Sequence, residues 1–437
     1  MKAGKRIFSV VSALLFLAAG FNAAADDGTA AGATSLPGVS VSLGGSFSFG
    51  LEPSWFWSWL SPPGGLAKLG SPDEAGLEAS LSSSFTMDAS AAEMFDLHGG
   101  ISVRYPLHEA VQAFGADGPI PLPSLSVDSI YAVFKPLTWL RLTAGKKSYA
   151  WFPGYFFSPA DYVNLSAVYP LEPDDPADKV LREGPVSMEV SFLLSRHSVS
   201  LLLMADDASK LEDLKLAARG ELVFGPVTAG AGGYYTYQRK PSAFVTARVE
   251  FPVVTVFAES IFYFGSDRIM LFPAADPSSW PEGLDAGPAE GFLYNQSTGG
   301  ITAAVASLGL KGTFQYLYNG LGYPFSSAPI LLSPGVDSLL QQNRISEADL
   351  VLPARHYAAA DVAWSIPRLP LRLAARWVMN FTDLSGLVEA DFSVQPFSFL
   401  TAGFTVPFAY GPAGGEFSPS GMGMGLSFYV DLSTGTF

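Results

Sequence analysis

The sequence predicts an all-β fold: a transmembrane antiparallel β-barrel of about 18 strands, with 16 also possible. Three observations carry that prediction. Apolar types make up 49% of the 437 residues and charged types only 15%, with a mean hydropathy of +0.27, whereas a typical soluble chain is roughly 25% charged. Beyond the extreme N-terminus, however, no uninterrupted run reaches the ~18 apolar residues of a spanning helix. Apolar residues instead recur at every second position, and the connections between such stretches alternate between long and short.

Residues 1–25 are expected to be an export signal. Lys2, Lys5 and Arg6 make a positive start, Ile7 to Ala19 an apolar core, and Ala23-Ala24-Ala25 a small-residue cleavage site. Removing them leaves 26–437 as a single barrel domain, and takes the net charge from −15 to about −18. Such an acidic chain is poorly suited to nucleic acid, because phosphate binding needs clustered Lys and Arg. With no cysteine in the chain, disulfides, thiol chemistry and a lipoprotein anchor are all excluded.

Alternation is clear in Val39, Val41, Leu43, Phe47 and Phe49, which are interleaved with serines and Gly44, and again in Met422, Met424, Leu426, Phe428, Val430 and Leu432. The expected strands are 38–50, 76–88, 94–106, 124–134, 138–147, 185–195, 198–205, 213–224, 227–237, 242–251, 253–264, 293–306, 309–319, 355–366, 370–381, 387–395, 397–408 and 421–432. Long connections (51–75, 107–123, 148–184, 265–292, 320–354 and 409–420) follow odd-numbered strands. Short ones, such as Lys135-Pro136-Leu137, Gly225-Pro226, Pro252, Ser307-Leu308 and Pro396, follow even-numbered strands. A barrel with short periplasmic turns and long outer loops requires that phase, and a sandwich does not. Closure also removes the exposed edges of so large a sheet.

The connection 148–184 is unlike the others. Gly145-Lys146-Lys147-Ser148 leads to Trp151, then to Gly154-Tyr155-Phe156-Phe157-Ser158-Pro159-Ala160-Asp161-Tyr162-Val163-Asn164, Pro173-Asp174-Asp175 and Arg182-Glu183-Gly184-Pro185. It resembles a loop of bacterial outer-membrane porin-like barrels, in which a strand ending in Gly-Lys/Arg leads to Trp, Pro-x-Asp, Asn and Arg-Glu-Gly. Those families usually place Gly after the Trp, where this chain has Phe152. The resemblance spans about 40 residues and implies a diffusion channel or export barrel whose loop folds into the pore. The residues support the same expectation, because so many rings want burial and long loops are often functional. Packing against the inner wall would bury them, as would a fold over the outer rim or a contact with a neighbouring barrel. Trp151, Tyr155, Asp161, Asn164, Asp174, Asp175 and Arg182 are the candidate residues of this constriction loop.

Polar strand faces give the candidate pore lining: Glu78, Asp96, Arg104, Arg141, Glu189, Lys215, Arg219, Glu221, Arg248, Glu250, Glu259, Arg372, Arg376, Glu389 and Asp391. On 370–381 the arginines alternate with Leu371, Leu373, Trp377 and Met379, so they must face inward. An Arg on the lipid face at mid-membrane costs roughly 2–4 kcal/mol. A hairpin centred near 384 would set Arg376 almost opposite Asp391, and one near 91 would pair Arg104 with Glu78. Charges of both signs predict weak ion selectivity.

Signals for other chemistry are thin. Asp174, Asp175 and Asp178 could hold a hard cation, but they lack the spacing of a calcium loop. The four histidines form no His-Glu-x-x-His pair, no Gly-x-Ser-x-Gly elbow occurs, and a His98–Ser84 pair would be fortuitous in so serine-rich a chain. No enzyme activity, cofactor or metal is expected. Phe437 matches the terminal aromatic read by barrel-assembly machinery, although its register does not. The expected partners are outer-membrane lipid, that machinery and small solutes. The expected function is passive diffusion of small hydrophilic or weakly amphipathic solutes across the outer membrane of a diderm bacterium. The alternative is a non-transporting surface barrel: an adhesin, receptor or structural protein.

Overall fold

The computed structural model describes residues 39–59, 72–109, 122–164, 184–205, 213–237, 239–266, 269–273, 284–288, 291, 293–324, 334–342, 344–346 and 353–433. The expected signal at 1–25, the candidates Asp174, Asp175 and Arg182, and the terminal Phe437 lie outside them.

The strands are β1 (Val39–Trp59), β2 (Glu74–Ala91), β3 (Phe95–Pro106), β4 (Ser124–Leu137), β5 (Leu140–Lys146), β6 (Val186–Leu194), β7 (His197–Met204), β8 (Lys215–Phe224), β9 (Val227–Thr236), β10 (Ser242–Glu250), β11 (Val254–Tyr263), β12 (Ile269–Pro273), β13 (Leu284–Pro288), β14 (Tyr294–Val305), β15 (Leu310–Asn319), β16 (His356–Ser365), β17 (Leu371–Asn380), β18 (Ser385–Phe397), β19 (Leu400–Tyr410) and β20 (Met422–Ser433). Eighteen form one antiparallel sheet that closes on itself where β1 pairs with both β2 and β20. All eighteen expected segments are present. β12 and β13 form a separate hairpin inside the β11–β14 connection, and a helix α1 (Pro334–Gln341) lies in the β15–β16 connection. Neither element was expected. Leu271, Tyr323, Val336, Leu339 and Ile345 bury together, joining these two connections at the outer end.

Pairing corrects the sequence-based register in two places. Arg376 stands opposite Glu389, not Asp391. The turn falls at 381–384, where the Asp383 Oδ1 accepts from the Ser385 N–H at 2.8 Å and hydroxyl at 2.6 Å. This local Asx-type bonding pulls the turn toward the N-terminus. Arg104 stands opposite Ser82, and Glu78 opposite Glu52. Here β2 runs on to Ala91, and the turn uses Ala92 and Glu93 at positive φ (51° and 58°). Lys135-Pro136-Leu137 and Pro396 are likewise not turns. They end β4 and β18 as bulges, which suits a residue without an N–H to donate.

The two faces of the ring differ sharply. Leu43, Leu77, Phe85, Leu201, Leu216, Phe224, Phe314 and Val362 are exposed on one face. The opposite positions carry serines that bond across strands, Ser46 to Ser84 at 2.7 Å and Ser48 to Ser82 at 2.6 Å. An apolar exterior around a hydroxyl-bearing interior is the arrangement that lipid outside and water inside select. The two faces should therefore respond oppositely to charge. Phe85→Arg should destabilise the barrel by roughly 2–4 kcal/mol in denaturant unfolding from lipid vesicles, whereas Ser84→Arg on the inner face should cost far less. Equal costs would contradict the assigned faces.

Candidate functional site: a segment folded across the barrel interior

The β5–β6 connection leaves and re-enters the wall through two close backbone approaches. Gly145 sits at φ +130°, with its missing Cβ directed at the Ile130 carbonyl, and Gly184 lies flat against the Lys147–Ser148 backbone. Only glycine fits such contacts. Between them the segment is clasped by Asn164. Its Oδ1 accepts from the Tyr149 N–H at 2.9 Å, and its Nδ2 donates to the Tyr149 carbonyl at 2.8 Å and to both oxygens of Asp161 at 3.0–3.1 Å. Asp161 and Asn164 are thus buried clamps that shape the segment. Burial also pushes the Tyr149 phenol above its ordinary range.

From the clasp the chain runs far around the ring. Tyr149 bonds to Ser187 on β6 at 2.9 Å, and eight residues later Phe157 packs on Tyr357 of β16. Those strands are eight steps apart one way round and ten the other. Eight residues reach about 29 Å at most, while eight strand spacings of ~4.8 Å make roughly 38 Å of wall. The path is a chord through the interior. That fixes the inward face, and because directly paired residues share a face, the register carries the assignment around the whole barrel.

Two wall side chains hold the chord. The Gln315 Oε1 on β15 accepts from three successive amides, Tyr155 at 3.1 Å, Phe156 at 2.8 Å and Phe157 at 3.4 Å, while its Nε2 donates to the Phe157 carbonyl and to Thr298 Oγ1. Glu259 on β11 accepts from the Ser158 hydroxyl at 3.0 Å and from the Gly154 and Ala160 amides at 3.2 and 3.3 Å. Gln315 is 0% and Glu259 2% exposed. Rings fill the space between these anchors. Tyr149, Trp151, Ala160 and Val163 bury against Leu202, Met204, Ala217, Phe244 and Ile261 of the wall, with the Arg219 guanidinium 5.9 Å above the Trp151 ring. Leu202, Met204, Phe244 and Ile261 each contribute about 1.5–3 kcal/mol of burial.

All fifteen candidate pore-lining residues carry the inward register. Glu259 and Glu189 nevertheless do not face water. The segment covers both, and Glu189 takes Lys147 at 3.7 Å and the Ser191 hydroxyl at 2.8 Å. Others pair on or between strands: Asp96 with Lys135, Arg219 with Glu221, Arg248 with Glu250 at 3.0 Å, Arg376 with Glu389 at 3.8 Å and Arg372 with Asp391 at 3.9 Å. Arg141 lies opposite Ser191, and Lys215 between Met204 and Thr236. Asp361, opposite Arg376, and Lys311, 5.6 Å from the Tyr155 ring, join this lining without having been singled out in the sequence. Tyr155 is 41% exposed. Desolvation raises its phenol, and Asp361 adds to the rise. Among the described residues no cluster of metal-ligating side chains occurs. His98 bonds to Asp88 at 2.5 Å, while Ser84 stands opposite Ser102, so the sequence-level His98–Ser84 pairing does not form.

No protein-family model matches the chain, and no curated protein does. The chain is similar to several solved structures. OpdL of Pseudomonas aeruginosa is 10% identical, with 90% of this chain and 98% of that one covered and a TM-score of 0.49. OccAB1 of Acinetobacter baumannii is 11% identical over 90% and 96%, with a TM-score of 0.45. A triple mutant of the Rhodopseudomonas blastica porin is 8% identical over 90% and 100%, with a TM-score of 0.42.

Gln315→Leu keeps the side chain's bulk but strands three amides. Their hydrogen exchange should quicken by on the order of tenfold, which corresponds to about 1.4 kcal/mol of lost protection. Unchanged exchange at Tyr155, Phe156 and Phe157 would show that Gln315 does not hold the segment.

Proposed function

We propose that the protein is a passive channel of the outer membrane for small hydrophilic solutes, narrowed by the segment 149–164. One observation carries the proposal: the segment occupies only one side of the interior. It touches β6 to β11, β15 and β16 and reaches Val378 and Leu387 at one end of β17 and β18, while the remaining inward positions of β17 to β20 and β1 to β4 are mainly hydroxyls and charged groups. There Ser102 donates to Asp128 at 2.9 Å, Tyr429 to Asp391 at 2.8 Å, and Ser46 bonds to Ser84. A ring of 18 strands is wide enough for water to pass unless it is filled, and this half of the wall is one that water wets. Tyr155, beside Lys311, Asp361, Arg372 and Arg376, marks the edge of the narrowed passage.

The proposed charge preference follows from the pairing. With Glu259 and Glu189 withdrawn under the segment, the water-facing charges are mostly matched, so a salt gradient should produce a small reversal potential despite the net charge of −15. A potential close to the ideal value for either ion would contradict this lining. Deleting about residues 152–178 should raise single-channel conductance in planar bilayers. An unchanged conductance in a folded deletion variant would mean that the segment does not narrow the path. Absence of stepwise currents from the intact protein would instead favour the non-transporting surface barrel.

A further inference from the structure

The β19–β20 loop at the outer end docks on the barrel through a carboxylate with no cation beside it among the described residues. Glu416 Oε2 accepts from the Tyr357 hydroxyl and from Asn380 Nδ2, both at 2.8 Å. Its own N–H donates to Asp383 Oδ2 at 2.8 Å, and the Phe417 N–H donates to the Ser385 hydroxyl at 3.1 Å. Phe417 meets the Tyr357 ring edge-on, with centroids 6.5 Å apart, and Tyr357 is the residue on which Phe157 packs at 6.1 Å. One chain of contacts therefore runs from the outer loop through Tyr357 to the inward segment.

The groups facing the Glu416 carboxylate are Tyr357 from β16, Asn380 from β17 and the Asp383 carboxylate from the β17–β18 turn. Two neutral donors and one like charge leave the ionised form poorly compensated once water is displaced. We propose that Glu416 is a proton-operated latch: protonated, it holds the 411–421 loop down on Tyr357 and so steadies the inward segment, and ionised, it releases the loop.

Burial, opposed by the Tyr357 bond and reinforced by Asp383, raises the Glu416 carboxyl from its ordinary 4.5 to about 7. An acid whose docked value lies above its free value favours docking while it is protonated. Docking is therefore strongest below about pH 4.5, weakens as the pH rises toward 7, and changes no further above that. The inference takes Tyr357 as part of the structure beneath the proposed pore, but its test does not depend on conduction.

The chain has no cysteine, so a single thiol reports cleanly. Ser418 is fully buried in the docked loop. In Ser418→Cys, the maleimide labelling rate, normalised to the exposed Ala413→Cys, should rise by on the order of tenfold between pH 5 and pH 8. Adding Glu416→Gln should abolish that rise and leave labelling slow at both values. Tyr357→Phe, which removes a donor to the ionised form, should move the midpoint to higher pH. A rise that persists in Glu416→Gln, or no rise in either background, would overturn the latch. If channel currents are absent while labelling behaves as stated, the pore proposal fails and the latch stands.

Discussion

An extended segment drawn through the inside of a barrel carries amides with no strand to pair with, and the structure depends on how those amides are met. Unpaired buried backbone groups are costly. Here Gln315 and Glu259, two inward side chains on β15 and β11, take six donors from residues 154–160 between them. Three of those donors converge on one buried carboxyl group, so Glu259 works as an anchor. Wall and segment are consequently one structure: the barrel supplies acceptors at fixed positions, and the segment supplies the rings that cover them.

This dependence explains the chemistry of the inner wall. On β1 to β4 and β17 to β20, apart from Val133, Val378 and Leu387, the inward positions are mainly small, hydroxyl-bearing or charged, which water can solvate. On β7, β10 and β11 they are Leu202, Met204, Phe244 and Ile261. An inward leucine would be poorly placed in an aqueous lumen, and it is well placed beneath Trp151 and Val163. The division of the wall into a covered half and a wetted half is therefore written in side chains as well as in backbone path. On the covered half Glu259 anchors the segment, whereas other inward carboxylates pair with arginine or lysine, as Glu221 does with Arg219, Asp96 with Lys135 and Glu389 with Arg376.

The sequence made the ring legible because alternation and loop phase are local properties. Exact pairing was less accessible. A turn moved by one or two residues by Asp383, or by positive φ at Ala92 and Glu93, changes which charges meet without changing their face. Arg376 thus meets Glu389, and Arg104 meets Ser82. The roles of Glu259 and Glu189 were not legible either, because nothing local separates a solvated inward carboxylate from one roofed by a loop more than thirty positions away. One signal was present. Leu201-Leu202-Leu203-Met204 breaks the alternation by being apolar on both faces, and a strand apolar on both faces must be covered on both. That run marks where the segment lies. Gln315, Tyr357 and Glu416 left no comparable trace, since their importance arises from partners brought together by the closed sheet.

The central claim is that the segment held by Gln315 and Glu259 stands in the conducting path, with Tyr155 at its edge. It is tested most directly by placing a thiol at that edge. In Tyr155→Cys, a bulky methanethiosulfonate reagent added during single-channel recording should produce one discrete drop in current that persists after washout and is reversed by reductant. Complete labelling with no change in current would contradict the account.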